Sequence, residues 1–262
     1  MITTIEAADI LLKARMERKR INNLPPACCP QEQASAYQCQ NELTNKLIGN
    51  YGGQIIGYKT ACTNESAQKL LNLDGPFWGS LLSAFAQTSP GQLKTDNFFM
   101  RVIEPEFAFQ MAIDLPPKKT EYTKDEVSKA VGAILPAVEI VDSRYDNWTT
   151  VGALSLIADS ACNAAWIYGK PNKNWTDFDL ANHEVNLYVN GSLIRKGSGA
   201  AVMGHPLNPL VWLANTLSRN GKGLKAGDFI TTGITTEVYL AQRGDQIVAD
   251  FGAIGSVELS FS

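Results

Sequence analysis

Residues 101–113 read RVIEPEFAFQMAI, and their alternation decides how this part of the chain folds. Ile103, Phe107, Phe109 and Met111 fall on one side and Val102, Glu104, Glu106 and Ala108 on the other, which is the two-residue period of a strand. The pattern predicts a half-buried strand with carboxylates on its second face. Pro105 removes one ladder donor, which predicts a sheet edge or a position beside an opening. Glu104 and Glu106 emerge on the same face, about 7 Å apart at their roots. Like charges at that spacing repel unless something positive lies between them.

Glu139 lies in 133–141, AILPAVEIV, where an ionised carboxylate is costly to bury without a partner. Three oxygen donors in apolar strands suit a hard cation such as Mg²⁺ or Mn²⁺ that keeps waters for a ligand to displace. A Glu-x-Glu pair is equally at home on a solvated strand face. Pairing with Lys59 or Arg144 would also satisfy these carboxylates without a metal, so the residues alone leave both readings open. Lys59 ends the run GGQIIGYK (52–59). Burial there would lower the pKa of its ammonium and a carboxylate or metal would move it again, which fits an acid/base or a substrate anchor; a surface lysine at a strand end is the competing reading.

The remaining polar candidates are weaker. Asp142 and Arg144 read best as a structural ion pair, and Asp159 in LIADSA (156–161) could be structural or functional. His183 and His205 have no metal-ligand spacing, and His205 is assigned to the turn before a helix. Ser160 and Ser198 lack a nucleophile-elbow context. The glycines of KGSGAAVMG (196–204) match neither a phosphate loop nor a dinucleotide fingerprint.

Outward from the central strand, the pattern predicts a strand over 54–61 and then a short helix capped at Asn64 and ended near Gly75. Thr123 and Glu126 form a capping box for a helix with Val127, Ala130, Val131 and Ile134 as its inner stripe, ended by Pro136 before a strand over 137–141. In EVNLYVNGSLIR (184–195), Asn190-Gly191 predicts a two-residue hairpin turn. Asn208-Pro209 opens a helix through Leu210, Leu213 and Leu217 that stops at Gly221. Strands are expected at 229–241, 246–251 and 256–261, with turns at Gly227 and Gly244. Nearer the N-terminus, Thr3 and Glu6 predict a capping box for a helix over 5–20, and a second helix is expected after Pro30, stopping at Gly49. The division is therefore a helical region over 1–50 and a strand-rich body over 51–262, an α+β chain.

Composition narrows the class of protein. The chain has 262 residues, 45% hydrophobic and 19% charged, with a net charge of −3, and its one basic cluster runs from Arg15 to Arg20. This predicts no nucleic-acid or membrane partner. Cysteines at 28, 29, 39, 62 and 162 are odd in number and lack zinc-type spacing, which predicts reduced thiols in a cytoplasmic protein. The first 20 residues carry charges where a signal peptide needs an apolar run.

Several segments together resemble a known family: GYKTACT (57–63), IEPEFAF (103–109), LPAVEIVDSR (135–144), ADSA (158–161), GSGAAVMGHPL (197–207) and GAIGSVELSF (252–261). In order and from about residue 5 to the C-terminus, the chain is similar to the 2-keto-4-pentenoate hydratase and 4-oxalocrotonate decarboxylase group of the fumarylacetoacetate hydrolase superfamily. The resemblance implies a twisted, barrel-like β-roll with an N-terminal helical region, Mg²⁺ or Mn²⁺ on Glu104, Glu106 and Glu139, a catalytic Lys59 and a homo-oligomer. It implies a lyase acting on a small 2-oxo or 2-hydroxydienoic acid through a metal-stabilised enolate, in a pocket that includes Phe77, Leu81, Asp159, Cys162 and Thr235. Two positions depart from the group: GPFWG (75–79) has Phe77 where hydratases carry an aspartate, and Cys162 replaces a serine. The first departure, with DSRY (142–145) and the glycines after residue 196, leans toward decarboxylation. Hydrolysis of a carbon–carbon bond in an acylpyruvate and a non-catalytic oxo-acid-binding protein are the alternatives.

Overall fold

The computed structural model describes residues 2–262. Six α-helices flank the strands: α1 (Ile2–Glu17), α2 (Gln33–Tyr51), α3 (Glu65–Leu71), α4 (Lys124–Ala130), α5 (Ala153–Ala158) and α6 (Leu207–Arg219). The first seven strands are β1 (Ile55–Ala61), β2 (Phe77–Leu82), β3 (Ala86–Thr88), β4 (Gly91–Leu93), β5 (Val102–Met111), β6 (Val131–Val141) and β7 (Asn163–Tyr168). After them come β8 (Glu184–Val189), β9 (Ser192–Ser198), β10 (Phe229–Ile234), β11 (Tyr239–Leu240), β12 (Gln246–Asp250) and β13 (Ser256–Phe261).

Two mixed sheets result. The larger, curled into a half-barrel, runs β2-β1-β10-β5-β6-β7-β3 with β11 also paired to β5; the smaller runs β4-β13-β12-β8-β9. The main core lies between the outer face of β5 and β6 and the second sheet, joining Ile103, Phe107 and Phe109 to Leu187, Ile247 and Phe251, with Leu210, Leu213 and Leu217 of α6 packed in. The other face of β5 and β6 lines the curl.

Several local expectations hold. The Asn64 side chain accepts from the Ala67 N–H at 2.8 Å, the Thr123–Glu126 capping box is formed, and Asn190 and Gly191 close the β8–β9 hairpin with φ of 52° and 79°. His205 sits in the turn before α6, where its Nδ1 accepts from the Leu207 N–H at 3.0 Å. All five cysteines are free, and no helix among the described residues is long and apolar enough to cross a membrane.

Other expectations are corrected. The first helix begins at Ile2, which puts Thr3 inside its first turn, so Thr3 is not the N-cap. The second helix runs through Gly49 to Tyr51, and Gly52, with φ of 74°, ends it. One glycine is tolerated in a helix when its neighbours bury a continuous stripe, here Ala36, Cys39, Leu43 and Leu47. The helix expected to reach Ile134 stops at Ala130, because the Val131-to-Val141 run is buried on both faces and joins the sheet, with Pro136 inside the strand. The Pro136 carbonyl accepts from Gly169, just beyond the end of β7, so its missing donor falls where that ladder has finished. The stretch 229–241 divides into β10 and β11.

The largest correction concerns β5 itself, which is neither half-buried nor at an edge. It pairs with β6 over its whole length on one side, and with β10 and then β11 on the other. The Pro105 carbonyl accepts from the Thr235 N–H at 2.9 Å, so the missing N–H, on the same side of the strand, faces the break between β10 and β11. A proline is accommodated in the middle of the sheet because its partner strand changes there.

Helices α1 and α2 share one apolar cluster with the sheet, in which Ala8, Leu11, Leu43 and Leu47 meet Leu82, Tyr145 and Ala158. Leu213 is fully buried in the main core, away from the inner face of the curl. Leu213→Ala is expected to lower unfolding stability by about 2–5 kcal/mol, measured by urea denaturation, while divalent-metal affinity stays unchanged.

Candidate metal centre

Strand pairing assembles the centre. Glu104 of β5 lies directly opposite Glu139 of β6, and Glu106 follows two residues along on the same face. One carboxylate oxygen from each of the three lies within 4.8 Å of the others. Glu106 and Glu139 are fully buried and Glu104 is half-buried.

Lys59 arrives from the other side of the curl, since β1 reaches β5 only through β10. Its Nζ is 3.1 Å from Glu139 Oε1 and donates to the Ala161 carbonyl at 2.9 Å. Burial alone would lower its pKa, but Glu139, Glu104 and Glu106 outweigh burial and hold the ammonium above its ordinary range. Asn163 Nδ2 donates to Glu139 Oε1 at 2.9 Å, and the Gly233 N–H donates to Glu106 Oε2 at 2.8 Å.

Backbone conformation serves these contacts at two places. Ser160, Ala161 and Cys162 are three consecutive left-handed residues, with φ of 53°, 53° and 61°. Each such non-glycine residue costs of order 1–3 kcal/mol, and the turn they form aims the Ala161 carbonyl at Lys59. Gly79, opposite Lys59 in β2, makes room for the turn, because a Cβ there would come within 2.7 Å of the Ser160 carbonyl oxygen. Gly233, with φ of 100°, stands in the register break of β10, where a side chain would strike Thr63.

The centre is a polar layer between two apolar ones. On one side Leu81 packs with Ala108, Leu135, Ala137 and Trp166. On the other, Phe77 packs with Cys62, Val141, Leu156, Ile157 and Cys162. Burial pushes the Cys62 and Cys162 thiols up to about 12, so both stay protonated. The other acids at this end are engaged. Asp142 accepts from the Phe99 and Met100 N–H groups, and Asp159 is held by Arg144 through Nε at 2.6 Å and the backbone N–H at 3.0 Å. The buried Thr235 hydroxyl donates to the carbonyl of Pro105, the residue between Glu104 and Glu106, at 2.8 Å.

With all three carboxylates ionised, the single ammonium would leave this layer two negative charges in excess. Burial, with Glu139 beside it, pushes Glu104 up to about 7, and burial together with Glu139 and Glu104 raises Glu106 well above the carboxylate range. Glu106 Oε1 and Glu139 Oε2 are buried and have no hydrogen-bond partner. Lys59 alone therefore does not satisfy the cluster. A divalent cation would balance the charge and give the orphaned oxygens a ligand role, so the residues fit one.

Reasoning from sequence missed Asn163, the Ala161 carbonyl and the Gly233 N–H. Asn163 carries the signal that drew attention to Glu139, a polar residue inside an apolar run; the two backbone groups carry none. Arg15 was also missed as a support: it donates to the Asn163 and Ala164 carbonyls at 3.3 and 3.1 Å, tying α1 to the strand that presents Asn163.

Folding raises Glu104 from its ordinary 4.5 to about 7, so between those values the folded chain binds more protons than the unfolded one. The metal-free protein is expected to lose stability as pH rises through that window, and Mg²⁺ to reverse the loss, measured as melting temperature with chelator and with Mg²⁺. Glu106→Gln is expected to abolish most of the Mg²⁺-induced rise in melting temperature.

Comparison with known proteins agrees with this geometry. Residues 100–261 match the model of the fumarylacetoacetate (FAA) hydrolase C-terminal family. The chain is 32% identical over 228 residues to a 4-oxalocrotonate decarboxylase of Pseudomonas putida, covering 87% of this chain and 85% of that one. It is 30% identical over 256 residues to a 2-keto-4-pentenoate hydratase of Paraburkholderia xenovorans strain LB400, covering 98% and 94%. Its structure matches the 4-oxalocrotonate decarboxylase from Pseudomonas putida G7, complexed with magnesium and adipate, with a TM-score of 0.91 at 27% identity, over 99% of this chain and 97% of that one. With its curled sheet and the family match running through the strands that carry all three glutamates, the chain belongs to the fumarylacetoacetate hydrolase family, in the group of the 2-keto-4-pentenoate hydratases and 4-oxalocrotonate decarboxylases.

Proposed function

We propose that this protein is a divalent-metal-dependent lyase acting on a small 2-oxo acid, with Glu104, Glu106 and Glu139 as metal ligands and Lys59 as the proton-handling residue. The observation that carries the reading is the buried, charge-imbalanced carboxylate layer with a protonated lysine held against it. Mg²⁺ or Mn²⁺ bound there would supply a Lewis acid for the carboxylate and 2-oxo oxygens of the substrate. The magnesium and adipate in the Pseudomonas putida G7 decarboxylase structure support both the cation and a carboxylate ligand.

Lys59 Nζ, fixed by Glu139 and the Ala161 carbonyl, is the proton source next to the layer. Phe77, Leu156, Ile157 and Cys162 form an apolar wall on that side. The wall excludes water and carries no free acid to activate one, since Asp142 and Asp159 are engaged. This favours loss of carbon dioxide from an oxo diacid over addition of water: cleavage leaves an electron pair delocalised toward the 2-oxo oxygen, and carbon takes a proton from Lys59 Nζ. Carbon–carbon hydrolysis fits less well, because His183 binds the Phe251 carbonyl and His205 the α6 turn, and neither is bonded to the carboxylates. The free cysteines fit the cytoplasm, and homo-oligomers remain our expectation from the family resemblance.

Purified protein with Mg²⁺ is expected to release carbon dioxide from 4-oxalocrotonate and to act weakly on 2-hydroxypenta-2,4-dienoate. Oxalate binding by calorimetry without turnover of either acid would instead indicate a binding protein. Lys59→Ala is expected to lower kcat by about 10²–10⁴-fold while Mg²⁺ binding persists, measured by steady-state kinetics alongside metal titration.

A further inference from the structure

The basic run at the end of α1 has one member, Arg15, tied to the strand behind the carboxylate layer. Arg18 follows α1 in a left-handed turn, with φ of 52°, and turns instead toward the segment that leads into β5. There a cleft of about 280 Å³ opens between Arg18, Thr95, Asp96, Phe98, Phe99 and Arg101. None of these residues belongs to the metal centre.

The charges in this cleft do not balance. Arg18 donates through Nη2 to Asn97 Oδ1 at 2.7 Å, and Arg101 donates through Nε to the Ala241 carbonyl at 2.8 Å. Neither guanidinium is paired with a carboxylate among the described residues. The one acid lining the cleft, Asp96, is engaged by Arg243. Two guanidiniums thus face a common space with terminal N–H donors free, and guanidinium forks suit oxyanions, above all carboxylates and phosphates.

A second observation points to a ligand. Thr95 is only 8% exposed, and its hydroxyl is a buried polar group without a hydrogen-bond partner. Such groups are rare unless something else completes them. The surroundings are fixed: the Thr95 N–H is bound to the Ser262 carbonyl, and the Phe99 and Met100 N–H groups are bound to Asp142 at 3.1 and 2.8 Å. Phe98 rests edge-on against Phe261, and Arg20 lies over the Phe99 ring at 5.2 Å. Hydroxyl and guanidinium donors therefore stand beside two aromatic walls, in a space roomier than an inorganic anion needs.

We propose that this cleft binds a small organic carboxylate with an apolar body, its carboxylate taken by Arg18, Arg101 and the Thr95 hydroxyl and its body by Phe98 and Phe99. Benzoate titrated calorimetrically into the full-length, Mg²⁺-loaded protein tests this. Binding is expected in the parent protein and in Glu106→Gln. It is expected to weaken about tenfold or more in Arg101→Gln and in Arg18→Gln, each removing a charge-assisted donor, and to weaken also in Thr95→Val. Inorganic phosphate, which cannot use the aromatic walls, is expected to bind about tenfold more weakly than benzoate. Arg18 lies on a surface turn, so its variant decides the matter should Arg101→Gln fail to fold. The proposal is overturned if benzoate does not bind, if its binding survives both arginine variants, if it disappears in Glu106→Gln, or if phosphate binds as tightly.

Discussion

Three carboxylates held together inside an apolar sheet are the constraint around which the structure is arranged. Glu104 and Glu139 face each other across one strand pair, with Glu106 two residues along. Like charges at this distance, away from water, are stable only if other groups compensate them. Lys59, Asn163 and the Gly233 N–H contribute, and two carboxylate oxygens remain without a partner. Much of the surrounding architecture is explained by the need to bring those compensating groups in from distant parts of the chain.

The helical region takes part in this arrangement. Arg15 fixes the backbone of Asn163 and Ala164 while sitting over the Phe85 ring at 4.1 Å, and burial together with Arg144 lowers its pKa to about 10. Gln40 of α2 bonds the carbonyls of Trp78 and Ile157, and Tyr37 stacks on Trp78 at 4.5 Å, which seats α2 over the wall containing Phe77. The Arg144–Asp159 pair, fully buried, pins the start of the left-handed turn whose carbonyl receives Lys59. Breaking such a pair would leave an uncompensated charge. The pair and the turn therefore act as one support, with strain in the backbone offset by the contacts around it.

Phe77 is the side chain on which the proposed preference for decarboxylation over hydration turns. It sits in the apolar layer next to Lys59, with two protonated thiols and aliphatic side chains around it. An aspartate in this place would bring a group able to handle water, whereas a phenyl ring cannot move a proton. In the proposed function, activation of a 2-oxo acid falls to the carboxylate layer and the fate of the activated acid to the apolar layer beside it.

The sequence alone determined what depends on covalent geometry and local turns. Alternation placed Glu104 and Glu106 on one face, Asn190-Gly191 closed its hairpin, and Asn64 and Thr123 capped their helices, because each follows from bond directions within a few residues. Isolation in an apolar run marked Glu139 as costly to bury, and the spaced segments marked the family. Tertiary structure alone decided the rest: Glu139 falls opposite Glu104, Lys59 reaches them across β10, and the Ala161 carbonyl and Asn163 complete the layer. It also decided that β5 is central, since Pro105 meets a change of partner strand. Register between strands far apart in the chain comes from packing the whole sheet, and no local period encodes it.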